Sequence, residues 1–426
     1  MRTVLARFSG PLMGTSLVYL ASRVIPAAMQ MAGVGLFVRW LGFAEYGRYA
    51  VVGATALMVG NVGSTWLVQA TLRLQSTYAS KSARFGFEKA LWKGVWGSVA
   101  VSVGVLLPLF LWLMRTGWGG ALWATATAVT VLVYTVAFAQ AQSDGASRRI
   151  LVAEVVRAAV GLGLPLAVLA LRWSGGYEVI LMGLVASNLT GIGLLARRSA
   201  SVGAVVDTEG SVLRPLWRYG APFVPWVVFT VLLNISGRYL IEIVLGSAAV
   251  GVYAALYETV NKSTSLLLTP VVMAAHPLIM NAWNADDDIA VARVMRQATV
   301  VSVGVAVVLV LGWTLVAGWV PGLVLGEHSP EAVGLVVPAA LAAAVWHLCM
   351  IFQKPLEFHG RGLALNVCAA LALAVQVGAT LYLLPSMGVV AAAYATLGGA
   401  LVYGGLVLLS ARQTPARASI PTSQTI

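Results

Sequence analysis

The chain has 426 residues, 59% apolar and 10% charged, with a formal net charge of +12 and a mean hydropathy of +0.87. A soluble domain carries about 25% charged residues, so an aqueous fold is excluded. Nucleic-acid binding is excluded too, because the basic residues gather between apolar runs, where anionic headgroups and the positive-inside bias account for them.

Apolar runs of about 20 residues recur along the sequence, each long enough to cross a hydrocarbon core of about 30 Å. Backbone groups in lipid need internal partners, which leaves helices or a closed barrel. Barrel strands alternate over about ten residues, and these runs are longer and continuously apolar. The fold class expected is therefore all-α and polytopic.

Arg2 and Arg7 precede the first apolar run like the flank of a signal anchor. The run is too long for a cleaved signal peptide and is expected to remain. Twelve helices are expected, over about 11–38, 46–69, 91–114, 119–141, 150–171, 177–196, 217–237, 249–275, 297–318, 331–352, 362–384 and 388–410. The longest connections, 70–90, 197–216 and 281–296, are basic. With both termini in the cytoplasm, inner loops and helix ends hold 19 of the 27 Lys and Arg, and outer ones hold five. That asymmetry predicts the orientation.

The phrase L-G-x4-G-x-Y occurs twice, at 41–49 (LGFAEYGRY) and at 245–253 (LGSAAVGVY), 204 residues apart. The chain reads as a duplication. Six helices per copy is an even number, so both copies enter from the same side and form parallel repeats about an axis along the membrane normal. The expected organisation is a six-helix lobe over 1–200, a cytoplasmic linker over 201–216, a second lobe over 217–411 and a polar, disordered tail over 412–426.

No G-x-x-x-x-G-K-[ST] loop is present, the four histidines lack H-E-x-x-H spacing, and Cys349 and Cys368 fall inside apolar runs as packing residues. Asp286-Asp287-Asp288 reads as a solvated turn. No enzyme, cofactor or metal site is expected.

Charges inside the spans carry more information, since a central Arg, Lys or Asp costs about 2.5–3.5 kcal/mol. Arg23 lies 12 residues beyond Pro11, about 18 Å along a helix, with Gln30 seven residues on. Glu258, Lys262, Ser265 and Thr269 follow helical spacing and form one polar stripe. Asn61, Ser64 and Thr65 make a weaker stripe in the second helix, the repeat partner of the eighth. Glu258 and Lys262 are either a local ion pair or part of a cavity. Arg23 is either a cavity cation or a side chain that snorkels or binds helix carbonyls. Glu154 and Arg157 are either an interfacial pair or a gate. Asn234, Arg238 and Glu242 share a face toward the outer end of the seventh helix, as an external gate or as partners for a helix terminus.

The order and spacing of LGFAEYGRY, RYGAPFVP (218–225), LGSAAVGVY, TPVVMAAHP (269–277) and LPSMGVVAAAYA (384–395) resemble the polysaccharide flippases of the multidrug/oligosaccharidyl-lipid/polysaccharide exporter superfamily. The resemblance spans the transmembrane region. It implies two six-helix lobes in a V, a cationic central cavity and alternating access. The implied substrate is an undecaprenyl-pyrophosphate-linked oligosaccharide for O-antigen, lipopolysaccharide or other surface polysaccharide, in the bacterial inner membrane. Arg23 and Lys262, one per lobe, are where the pyrophosphate contact is expected. H+ or Na+ as coupling ion, membrane lipids and a polysaccharide polymerase are the further participants implied. An ion-coupled drug antiporter of the same superfamily is the alternative: it would carry an acid in the first helix, where this chain has Arg23, but Glu258 keeps it open. A membrane-embedded polysaccharide polymerase or ligase would show a large external loop, and the longest outer loop expected is about a dozen residues. A lipid II flippase of the same superfamily carries extra helices.

Overall fold

The computed structural model describes residues 11–78, 81–171, 176–196, 209–285, 287–327 and 329–412. Twelve helices among them are long and apolar enough to cross a membrane. In chain order these are α1 (Pro11–Leu41), α2 (Phe43–Leu74), α3 (Lys81–Pro108, continued by a π turn Leu109–Leu113), α4 (Gly117–Ser143), α5 (Ser147–Ala170), α6 (Glu178–Leu195), α7 (Val224–Leu245), α8 (Ser247–Asn284), α9 (Asp288–Val316), α10 (Pro330–Phe352), α11 (Gly362–Met387) and α12 (Val390–Arg412). No strand occurs among the described residues. A lead-in helix, Glu209–Gly220, precedes α7 through a 3-10 turn, Ala221–Phe223. Its second half falls where the seventh helix was predicted to begin, and its first half falls in the stretch read as linker.

Predicted and observed spans overlap throughout, but α3 begins ten residues earlier than expected, α9 begins nine earlier, α7 is shifted seven to eight residues toward the C-terminus, and α8 ends nine later. The eighth span was expected to end at 275, just before Pro277, but the helix runs through Pro270 and Pro277 to Asn284. A proline costs less in a membrane helix, where neighbouring helices and local adjustments satisfy the freed carbonyl. Start signals behave as their chemistry dictates. The Ser329 hydroxyl accepts from the Ala332 N–H ahead of Pro330, and the Asp287 carboxylate accepts from the Ala290 N–H at the head of α9. Each side chain satisfies one otherwise unpaired donor of a first helical turn. Asp287 is thus a helix cap; Asp286 lies outside the described residues.

The two halves share one neighbour order. In the first, α2 packs on α4, α4 on α6, α6 on α5 and α5 on α1, with α3 against α2 and α4. In the second, α8 packs on α10, α10 on α12, α12 on α11 and α11 on α7, with α9 against α8 and α10. The halves meet through α2 with α8, α1 with α8 and α2 with α7. This is the all-α, two-lobe duplication that the repeated phrase predicted.

Both glycines of the phrase have a physical role. Gly42 (φ +82°) and Gly246 (φ +83°) are the single residues linking α1 to α2 and α7 to α8. That backbone region is open essentially to glycine alone. The second glycines, Gly47 and Gly251, lie where α2 and α8 cross. A Cβ on Gly47 would fall 1.8 Å from the Ser247 carbonyl oxygen, and one on Gly251 would fall 2.1 Å from the Phe43 carbonyl oxygen. The contact is reciprocal, with the same positions of the two copies facing each other. Around it, Val34, Tyr46 and Val51 of the first half share a buried apolar cluster with Ile241, Val250 and Tyr253 of the second. The halves are sealed together at this end.

Candidate functional site

Just inside the sealed end, between the halves, lies a cavity of about 460 Å³ walled by α1, α2, α5, α6, α7 and α8. The repeat fixes its lining. The 204-residue offset of the phrase pairs Gln30 with Asn234, Val34 with Arg238, Ala54 with Glu258, Leu57 with Asn261 and Met58 with Lys262, and all ten residues line the cavity. On the first-half side four of the five are apolar. On the second-half side all five are polar or charged.

Glu258 is the hub of the charged wall. Its carboxylate meets Lys262 Nζ at 2.9 Å, one helical turn along α8, and Arg238 Nη2 at 3.0 Å, across from α7. The side chains are 18%, 32% and 11% exposed, so Arg238 is the deepest. Arg238 Nη1 also donates to the Ala50 carbonyl of α2 at 3.3 Å, and the Tyr239 and Thr55 hydroxyls lie 2.7 Å apart beside it. The second-half charge cluster therefore reaches the backbone of the first half. Two cations on one carboxylate leave this wall with a net positive charge.

Among the described residues the first half contributes one cavity cation, Arg157. Its guanidinium donates to Glu154 at 3.2 Å and to Asn188 Oδ1 at 3.2 Å, and stands 4.6 Å from the centre of the Tyr134 ring. Tyr134 donates its hydroxyl to the other Glu154 oxygen. Glu154, 5% exposed, thus orients Arg157 from behind. The Nε–H groups of both Arg157 and Arg238 are buried without a protein partner.

The remaining sequence candidates divide. Gln30, Asn61, Asn234 and Lys262 line the cavity. Asn61 and Asn234 each spend their amide N–H on a carbonyl one turn back, Leu57 and Thr230, which leaves their amide oxygens as acceptors. Ser64 and Thr65 bond the Asn61 carbonyl. Glu242 accepts from the Ser247 hydroxyl at 2.7 Å across the α7–α8 junction, apart from the charge cluster. Thr269 Oγ1 lies 3.4 Å from His347 Nε2, turned toward α10. The backbone of Arg23 belongs to α1, and its side chain lies outside the described residues. The Arg238–Glu258 pair escapes sequence reading, because nothing in helical spacing relates a residue of α7 to one of α8. Tyr134 and Asn188 escape it for the same reason. Among the described residues no three His, Cys, Asp or Glu side chains gather as metal ligands.

No protein-family model matches the chain, and no curated protein sequence does. Solved structures do resemble it. A variant of the Vibrio cholerae MATE transporter VcmN aligns over 94% of this chain and 95% of its own, with a TM-score of 0.67 and 16% identity. A lipid II flippase, MurJ, in an inward closed conformation aligns over 95% and 88%, with a TM-score of 0.73 and 10% identity. A multidrug-resistance MATE-family transporter of the MOP superfamily, facing inward, aligns over 93% and 94%, with a TM-score of 0.64 and 14% identity. At these identities the likeness is one of fold: this chain shares the all-helical fold of those transporters.

Proposed function

We propose that the chain is a secondary transporter that carries an anionic, lipid-linked oligosaccharide, of the undecaprenyl-pyrophosphate kind, across the bacterial cytoplasmic membrane by alternating access, with both termini cytoplasmic. The observation that carries this reading is the cation excess on one cavity wall: Arg238 and Lys262 share the single carboxylate of Glu258. Uncompensated positive charge away from bulk water is costly, and a diphosphate headgroup offsets it. Guanidinium groups match phosphate oxygens in geometry as well as charge, and Arg157 and Arg238 each keep a buried N–H without a protein partner. Val34, Ala54, Leu57 and Met58 on the facing helices α1 and α2 suit a ligand whose charge is confined to one end.

The antiporter alternative needs a carboxylate able to exchange an inorganic cation for a cationic drug. Glu258 is held by two fixed cations, which weighs against it. On the proposed orientation the sealed end faces outward and the cavity serves the cytoplasmic side. Each negative charge then moved outward gains about 2.3 kcal/mol per 100 mV, inside negative. Return of the empty carrier is the step at which H+ or Na+ would couple, and a polysaccharide polymerase would take the product.

Thermal unfolding of the purified protein with undecaprenyl diphosphate and with undecaprenol tests the reading. The diphosphate should stabilise the wild type, the alcohol should not, and Arg238→Gln with Lys262→Met should remove the difference. In a flippase-deficient host the same double variant, present at normal abundance, should fail to restore surface glycan. Equal stabilisation by both lipids, or stabilisation by cationic dyes instead, would overturn the anionic-substrate reading.

A further inference from the structure

The lead-in helix Glu209–Gly220 has no part in the cavity, and its two faces differ in kind. Val212, Leu216 and Gly220, four residues apart, are buried. Val212 and Leu216 join Trp66, Leu67 and Ala70 of α2 and Phe87 and Leu91 of α3 in one apolar cluster. A Cβ on Gly220 would fall 2.0 Å from the Trp66 carbonyl oxygen, so the helix is seated hard on the first half. On the opposite arc Arg214 and Arg218, also four apart, are exposed. Trp217, 56% exposed, flanks them and packs edge-on against Trp66 at 5.1 Å. Neither arginine has an acidic partner among the described residues.

Length places this helix at the bilayer surface. The 22 residues of α7 rise about 33 Å, enough to fill the hydrocarbon core of about 30 Å. The lead-in helix, which continues α7 beyond the 3-10 turn, then falls among the headgroups. Tryptophan is enriched at that depth, and Trp66, Trp92 and Trp217 all pack at this end of α2, α3 and the lead-in helix.

We propose that the Arg214–Arg218 face is a binding site for anionic phospholipid headgroups of the leaflet it lies in. Two guanidinium groups one helical turn apart, with no acidic partner among the described residues and an aromatic ring beside them, complement a phosphodiester together with an acidic or hydroxylated headgroup. A bound lipid holds the helix, and the α2–α3 end to which it is fixed, in the headgroup plane, while α7 leaves through the turn at 221–223. The site is independent of the transported substrate, so it stands or falls separately from the proposed function.

Native mass spectrometry of the purified full chain, incubated with equal amounts of phosphatidylglycerol and phosphatidylcholine of identical acyl chains, tests it. The wild type should retain phosphatidylglycerol preferentially. R214Q/R218Q should lose at least threefold of that preference, R214K/R218K should keep most of it, and R412Q, at the end of α12, should leave it unchanged. Raising ammonium acetate should erode the wild-type preference, since exposed charges are screened; this arm needs no variant to fold. Equal retention of the two lipids by the wild type, a preference indifferent to salt, or an undiminished preference in R214Q/R218Q would each overturn the site.

Discussion

Placing a side chain on Gly47 should prevent the two halves from closing at the end where they now meet. A methyl there would stand 1.8 Å from the Ser247 carbonyl oxygen, whereas real contacts of this kind begin near 3.0 Å, so α2 and α8 must part by at least about 1.2 Å. Overpacking a well-packed contact costs about 1–3 kcal/mol, which is about 5- to 150-fold in an equilibrium between two states. The clash lies between the halves and not inside either. The loss therefore falls on the closed arrangement and spares the fold of each half. Spin labels at Ala44 and Ala248, exposed positions beside the crossing, report it by double electron–electron resonance once Cys349 and Cys368 are replaced by Ala. Gly47→Ala should add a longer-distance population, Gly47→Leu should make it dominant, and Gly251→Ala should act alike, because its clash with the Phe43 carbonyl is the mirror contact. An unchanged distance distribution in Gly47→Leu, with normal yield of folded protein, would refute the claim that this crossing is the seal.

Two further outcomes follow from the geometry. Glu258→Gln strands two cations, whereas Glu258→Gln with Lys262→Met strands one, so the single change should lower the thermal unfolding midpoint and impair transport more than the double. Removing one partner of a fully buried pair costs about 3–5 kcal/mol, and the loss here should be smaller because Lys262 is 32% exposed. Equal damage from both would mean that Glu258 acts on its own, for instance on a coupling ion. Gly42→Ala and Gly246→Ala should each destabilise by about 1–3 kcal/mol, the range for a residue with a Cβ held in a backbone region it rarely adopts. A thermal midpoint within error of wild type in both would show that the helix junctions relax.

Much of the frame was legible because its signals are local and repetitive. Runs of apolar residues mark spans whatever their neighbours, and the twofold L-G-x4-G-x-Y phrase marks the duplication, because each of its glycines answers a constraint that recurs in both copies. Glu258–Lys262 was legible as i, i+4 on one helix. The site as a whole was less so. Arg238 looked like an end-of-helix residue when depth was counted along α7 alone; only the antiparallel packing of α7 beside α8 brings it to Glu258. Arg157, read as part of an interfacial pair or a gate, has partners that spacing along α5 does not show, since Asn188 and Tyr134 come from α6 and α4. The prolines of α8 misled in the opposite direction, because the rule that proline ends a helix belongs to water more than to lipid.

The paired lining of the cavity separates what the duplication conserved from what it changed. The 204-residue offset holds through α1 and α7 and through α2 and α8 at five cavity positions, so the wall is twofold in its backbone. Its chemistry is not: Val34, Ala54 and Met58 stand where the second half has Arg238, Glu258 and Lys262. A twofold set of charges would put like charges opposite one another in a space of about 460 Å³, where they repel more strongly than in bulk water. Confining the cluster to α7 and α8 avoids that repulsion across α1 and α2, where Val34, Ala54, Leu57 and Met58 face it. On the proposed function this assigns different tasks to the halves. The charged end of the ligand lies between Arg238 and Lys262 on one side and Arg157 on the other, and α1 and α2 move across its uncharged remainder. A direct tie from the charge cluster to the first half, Arg238 to the Ala50 carbonyl, lies one turn from the Gly47 crossing. On the proposed function, a headgroup that drew Arg238 away from Ala50 would loosen the same junction whose closure seals the cavity, coupling occupancy to opening without a second site.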